Sequence, residues 1–229
     1  MATQDRERSN MLRHAEQHLV QYLCKRLPLW VTSDMLTAFG FFGSIVICWG
    51  LWRGESNRVF LLFSILGLII HWFGDSLDGR LAYYRNQPRQ WYGWALDINT
   101  DWTSICIIGL GFYLYLPAYQ IVAALFVVVY GGAMIIALLR YKITNQYQID
   151  SFYLGPTELR ILLAAVLLGE MFRANTLLQF GLIGSLLLIV FNLFELYRLL
   201  RLADQKDHAE KAAEQKPLTS LELINVPGL

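Results

Sequence analysis

The chain is 229 residues long, 55% hydrophobic and only 16% charged, with a formal net charge of +1 and a mean hydropathy of +0.39. Soluble domains of this size are usually about a quarter charged, so the composition excludes an ordinary soluble domain and points to a polytopic membrane protein. The net charge is uninformative, because placement matters more than the sum, and no nucleic-acid partner is expected. Cys24, Cys48 and Cys106 are isolated, without C-x-x-C spacing, which argues against a disulfide frame or a zinc site.

Residues 1–10 are polar and charged, so no cleavable signal peptide is expected. Over 11–29, Leu12, Leu19, Val20, Leu23 and Leu27 recur at helical spacing, interrupted by Arg13, Glu16, Gln17, Lys25 and Arg26. That stripe is too broken to span a bilayer and predicts an amphipathic helix lying at the interface. Pro28 and Trp30 end it at headgroup level, and Thr32-Ser33-Asp34 offers N-cap side chains for the next helix.

Six spans are predicted within 33–200, at about 35–52, 59–81, 94–116, 118–139, 157–172 and 176–199. Each is near the ~20 residues needed to cross the hydrocarbon, the fifth being the shortest. The predicted fold is therefore all-α and integral to the membrane: six transmembrane helices preceded by an interfacial helix. Tryptophans at 30, 49, 52, 72, 91, 94 and 102 gather near the predicted ends, as an aromatic belt would.

Arg6, Arg8, Arg13, Lys25 and Arg26 precede the first span, and Arg80, Arg85 and Arg89 join spans two and three. Arg140 and Lys142 follow span four, while Arg198, Arg201, Lys206, Lys211 and Lys216 follow span six. The other side receives only Arg53, Arg58 and Arg173, so both termini are expected in the cytoplasm. Residues 203–229 alternate charges and predict a frayed helix with a disordered end, a cytoplasmic tail. No internal repeat or second domain is visible, and 1–202 reads as one membrane domain.

Four aspartates carry the chemical information. Gly74-Asp75-Ser76-Leu77-Asp78-Gly79-Arg80-Leu81-Ala82 spaces one pair at i, i+3. Gly93-Trp94-Ala95-Leu96-Asp97-Ile98-Asn99-Thr100-Asp101 spaces the other at i, i+4. Each pair falls on one helical face and adjoins a long apolar run, where an ionised carboxylate normally has a functional reason to be present. Four carboxylates at the cytoplasmic edge of a membrane need positive charge between them, and hard divalent cations supply it. Aspartate ligands favour Mg²⁺ or Mn²⁺ over zinc, and such ions suit phosphate chemistry. Gly79, Ala82 and Gly93 leave space beside the carboxylates for a ligand.

These residues resemble the signature of the CDP-alcohol phosphotransferase family, D-x-x-D-G-x-x-A-R followed after a spacer by G-x-x-x-D-x-x-x-D. The layout of an interfacial helix and six spans is similar too. The sequence departs at two points. Tyr83 stands where the signature has arginine, leaving Arg80 or Arg85 to substitute, and the spacer before Gly93 is one residue longer than usual. The resemblance implies that Asp75, Asp78, Asp97 and Asp101 hold two Mg²⁺ or Mn²⁺ ions. Asp101 would also act as general base on an acceptor hydroxyl that attacks the β-phosphorus of a CDP-linked donor, with release of CMP. It implies that Asp75, Asp78, Gly79, Ala82 and Gly93 surround the CDP group, with Thr37 abutting the nucleotide. It also implies a homodimer.

Arg80, Arg85, Arg140, Lys142 and Arg160 are candidate contacts to a substrate phosphate. They favour CDP-diacylglycerol donating to a small phosphorylated alcohol over CDP-choline or CDP-ethanolamine donating to a lipid alcohol. Glu158 and Arg160 are two residues apart at the start of an apolar span, so they do not face each other and each needs its own partner. His71, one turn before Asp75, is expected to be satisfied by a neighbouring helix. The short loops and compact length suggest a bacterial inner membrane. The rival class is a metal- or proton-coupled transporter, though such proteins usually show paired halves and sites near the midplane.

Overall fold

The computed structural model describes residues 13–144 and 156–214. Expectations on residues 1–12, which include the first turn of the interfacial helix, and on the end of the tail at 215–229 lie outside the described residues. Among those described there are seven α-helices, one 3₁₀ turn and no strand.

The first helix, α1 (Arg13–Arg26), carries Lys25 and Arg26 in its last turn, where cations suit the helix dipole. Val20 and Cys24, one turn apart, are buried against Leu36, Leu77 and Leu81. Pro28 blocks continuation, and Leu29 and Trp30 are left exposed. In α2 (Ser33–Ser56), Thr32 is the N-cap and its hydroxyl oxygen accepts from the Met35 amide at 3.2 Å. Asn57 leaves helical backbone and caps the short 3₁₀ turn Arg58–Phe60 through the Val59 amide.

Helices α2 and α3 (Leu61–Tyr84) meet along a seam of glycines. A Cβ at Gly43 would lie 2.5 Å from the His71 amide nitrogen, and one at Gly74 would overlap the Gly40 backbone. Only glycine allows two helix backbones this close, a device that membrane bundles use in place of hydrophobic driving force. The seam fixes the rotation of α3 so that Asp78 meets the first turns of α2. Helix α4 (Gln90–Tyr115) packs on the other flank of α2, with Gly111 against Cys48.

The remaining helices are α5 (Gln120–Thr144), α6 (Pro156–Phe172) and α7 (Thr176–Glu214). Gly131 of α5 leaves room for the Trp102 ring, and Asn192 of α7 donates to the Val129 carbonyl at 2.7 Å. A second buried cluster, including Ile47, Leu51, Leu61, Leu167 and Leu177, closes the far end of the bundle.

Helices occupy all six segments expected as spans, but four of them are long and apolar enough to cross a membrane: Ser33–Ser56, Arg58–Tyr84, Gln120–Thr144 and Thr176–Ala212. Helix α6 has 17 residues. Helix α4 dilutes its first half with Asp97, Asn99, Thr100 and Asp101. At 39 residues α7 is about 58 Å long, well beyond the ~30 Å hydrocarbon core. The charged residues 203–214 continue that helix.

Candidate metal and phosphate site

The recess lies between α2, α3 and α4 and is lined by Thr37, Gly40, Phe41, His71, Asp75, Asp78, Asp97, Thr100 and Asp101. Each wall is set by a local rule. Asp97 and Asp101 stack one turn apart on α4, and the glycine seam presses the Asp75–Asp78 turn of α3 against α2.

The structure brings three of the four aspartates together. One carboxylate oxygen from each of Asp75, Asp97 and Asp101 lies within 4.8 Å of the others, all half-buried. Asp78 lines the same recess but stands apart from that group. It sits about 60° round α3 from Asp75, turned towards α2, where its Oδ2 accepts from Thr37 Oγ1 at 2.6 Å and its Oδ1 from the Gly79 amide at 2.5 Å. Ser33 Oγ donates to its main-chain carbonyl at 2.6 Å. All four aspartates therefore line one recess, three with oxygens close together and the fourth hydrogen-bonded to α2. Thr37 lines the recess and holds that carboxylate.

Arg160 reaches the cluster: its Nη2 donates to Asp75 Oδ2 at 2.6 Å. Two bare carboxylates 4.8 Å apart repel by on the order of 3 kcal/mol at an effective dielectric of about 20. The donor set is oxygen only. Oxygens on opposite sides of an ion bound at ~2.1–2.4 Å stand about 4.2–4.8 Å apart, so these residues fit a hard divalent cation.

The other basic candidates are engaged elsewhere. Arg85 donates to the main-chain carbonyls of Leu27, Pro28, Leu29 and Val31, locking the end of α1 and the linker to the end of α3. Arg80 pairs with Glu16 of α1 at 3.6 Å. Arg140 pairs with Glu195 of α7, and Lys142 is exposed in the last turn of α5. Tyr83, in the arginine position of the signature, is 59% exposed.

Gly79 and Gly93 differ from the seam glycines. A Cβ at either would have nothing within 4 Å, so neither is required by packing, and both border open space beside the aspartates. Ala82 is half-buried one turn beyond Asp78.

Three features escaped the sequence reading. His71 is buried on the recess wall with Nδ1 lacking a partner, where a satisfied imidazole was expected. Asp34, one turn before Thr37, pairs with Arg89, which stacks 4.2 Å over the Tyr92 ring. Arg89, Gly93, Asp97 and Asp101 recur every four residues, a stripe that could have flagged Arg89. Thr100 joins the wall with no signal in the sequence.

The sequence model of a protein family described as CDP-alcohol phosphatidyltransferase matches residues 30–201, from the linker before α2 into α7, and so contains the whole recess. No curated protein matches the chain.

Proposed function

As the chain belongs to the CDP-alcohol phosphatidyltransferase family, it is a phosphotransferase of phospholipid synthesis, and we propose that it moves a phosphatidyl group from CDP-diacylglycerol to an alcohol hydroxyl, releasing CMP. The observation that carries this reading is the trio of carboxylates within 4.8 Å beside two glycines that border open space. Enzymes of this family use divalent metal ions. Two Mg²⁺ or Mn²⁺ ions held by Asp75, Asp97 and Asp101, with Asp78 alongside, would neutralise the pyrophosphate and the charge that grows on it as its bond breaks.

The chain's own residues do the rest by placement. Gly79, Ala82 and Gly93 make room for the cytidine end of the donor, and Thr37 keeps Asp78 turned towards it. Asp101, deepest in the acidic stripe of α4, takes the proton from the acceptor hydroxyl. The oxygen so activated forms a bond to the donor's β-phosphorus while the bond from that phosphorus to the CMP oxygen breaks, and CMP leaves with the electron pair. Arg160 stands where it can hold a phosphate on the acceptor. It is now the one cation of the five candidates that supports a phosphorylated acceptor, because Arg80, Arg85 and Arg140 are paired away from the recess and Lys142 is exposed.

The same reading places six helices across a bacterial inner membrane, α4 and α6 lining the bundle, with α1 at the interface. Residues 1–202 act as one catalytic domain with a cytoplasmic tail after it, in a homodimer whose recess opens to the cytoplasm. The positive-inside distribution supports that orientation.

Reverse exchange tests the reaction. Membranes containing the protein and Mg²⁺ or Mn²⁺ should incorporate radiolabelled CMP into a CDP-linked lipid, and Asp101→Asn should abolish the incorporation, a loss of about 10²–10⁴-fold. Exchange that survives in Asp101→Asn removes the base assignment, and no exchange in wild type removes the reading.

A further inference from the structure

Glu16 is 7% exposed on a helix whose Lys25 and Arg26 are exposed. Burying a carboxylate is costly unless partners compensate, and two of its partners lie on the two helices that carry Asp75 and Arg160. Glu16 Oε2 accepts from Thr157 Oγ1 at 3.1 Å, and Oε1 stands 3.6 Å from Arg80 Nη2. Thr157 lies three residues before Arg160 in α6, and Arg80 five residues after Asp75 in α3. The two helices therefore run antiparallel here, bridged once inside the recess by Asp75 and Arg160 and again, about one turn away, through Glu16.

Helix α1 is well placed to act as the fixed end of that bridge. Glu16, Val20 and Cys24 form one buried stripe at i, i+4, i+8, and the last two pack on Leu77 and Leu81, which flank Asp78 on α3. The turn of α3 that bears Asp78 thus anchors α1, and Glu16 reaches from α1 across to the first turn of α6.

We propose that Glu16 is a positioning residue for the transfer: through Thr157 it fixes the start of α6 against α3 and so holds Arg160 on Asp75, beside the recess where the acceptor would bind. The role in transfer rests on the functional reading above, while the clamp rests on the geometry of α1, α3 and α6. The recess is thereby tied to the helix expected at the membrane surface.

The experiment uses the full-length protein in lipid nanodiscs. Thr157→Val and Glu16→Ala should each raise the acceptor KM about tenfold, the worth of one hydrogen bond to a charged group, and leave the donor KM unchanged. The double variant should be no worse than Glu16→Ala. Glu16→Gln, whose amide oxygen still accepts the Thr157 hydroxyl, should restore most of the loss. Equal rises in both KM values, or additive effects, would overturn the role in transfer. Spin labels at Ile69 of α3 and Ile161 of α6, both exposed, test the clamp without turnover. Their distance distribution should broaden in Thr157→Val, and an unchanged distribution overturns the clamp. A wild type without CMP exchange sinks the reaction, and the spin labels still decide the clamp.

Discussion

Two buried acidic regions of this molecule follow opposite rules. Glu170, ten residues beyond Arg160 on α6 and so about 15 Å along the helix, is 3% exposed, and both of its oxygens are occupied. Oε1 accepts from Tyr115 Oη at 3.0 Å and from the Asn175 amide at 3.2 Å, and Oε2 accepts from the Leu177 amide at 2.7 Å. It caps the start of α7, pins the turn at Asn175, where φ is 69°, and anchors the end of α4. This carboxylate has a donor on each oxygen. Asp75, Asp97 and Asp101 are instead crowded against one another, with Arg160 paired to Asp75 and with Gly79 and Gly93 bordering open space nearby. Mutual crowding of carboxylates separates this group, which could hold a metal ion, from a buried acid whose oxygens are taken up by helix-end donors.

The comparison breaks most directly at Asp97. Asp97→Asn should lower metal-dependent CMP exchange by about 10²-fold or more, since it removes transition-state charge stabilisation, and it should leave thermal stability equal or raised by relief of like-charge repulsion. The metal arm uses the melting temperature. Mg²⁺ or Mn²⁺ should raise it for wild type and do so less for Asp97→Asn, and an equal rise in both would remove Asp97 from the metal set.

Glu170→Ala should do the reverse. It strands the Tyr115 hydroxyl and two helix-terminal amides, costing about 3 kcal/mol or more of stability, while kcat per folded molecule stays near that of wild type. Unfolding in detergent with parallel activity measurements separates the two effects. A Glu170→Ala protein of normal stability and lost activity would erase the distinction.

The glycines give the finest test. Gly43→Ala forces a methyl group against the His71 backbone and should cost about 1–3 kcal/mol. Gly93→Ala meets nothing and should stabilise α4 by up to about 1 kcal/mol, yet it should raise the donor KM several-fold because the methyl group enters the ligand's space. An unchanged donor KM would mean that the gap beside Gly93 is not used by the nucleotide.

The sequence by itself determined the helices and the acidic faces. Hydrophobic runs, the Thr32 cap and the stop at Pro28 are local signals, and a repeat of three or four residues fixes which side chains share a face whatever the helix packs against. Asp97 and Asp101 could be placed together from spacing alone. What only the tertiary structure decided is who meets whom across helices. Spacing could not show that Asp78 turns to Thr37, 41 residues away, while Asp75 turns to Arg160, 85 residues away. Nor could it show that Arg85 spends its guanidinium on the main-chain carbonyls of the α1–α2 linker. Those pairings depend on the rotation and depth of each helix against its neighbours, set here by the Gly40–Gly74 seam, and a long side chain pairs with whichever acceptor that packing leaves within reach.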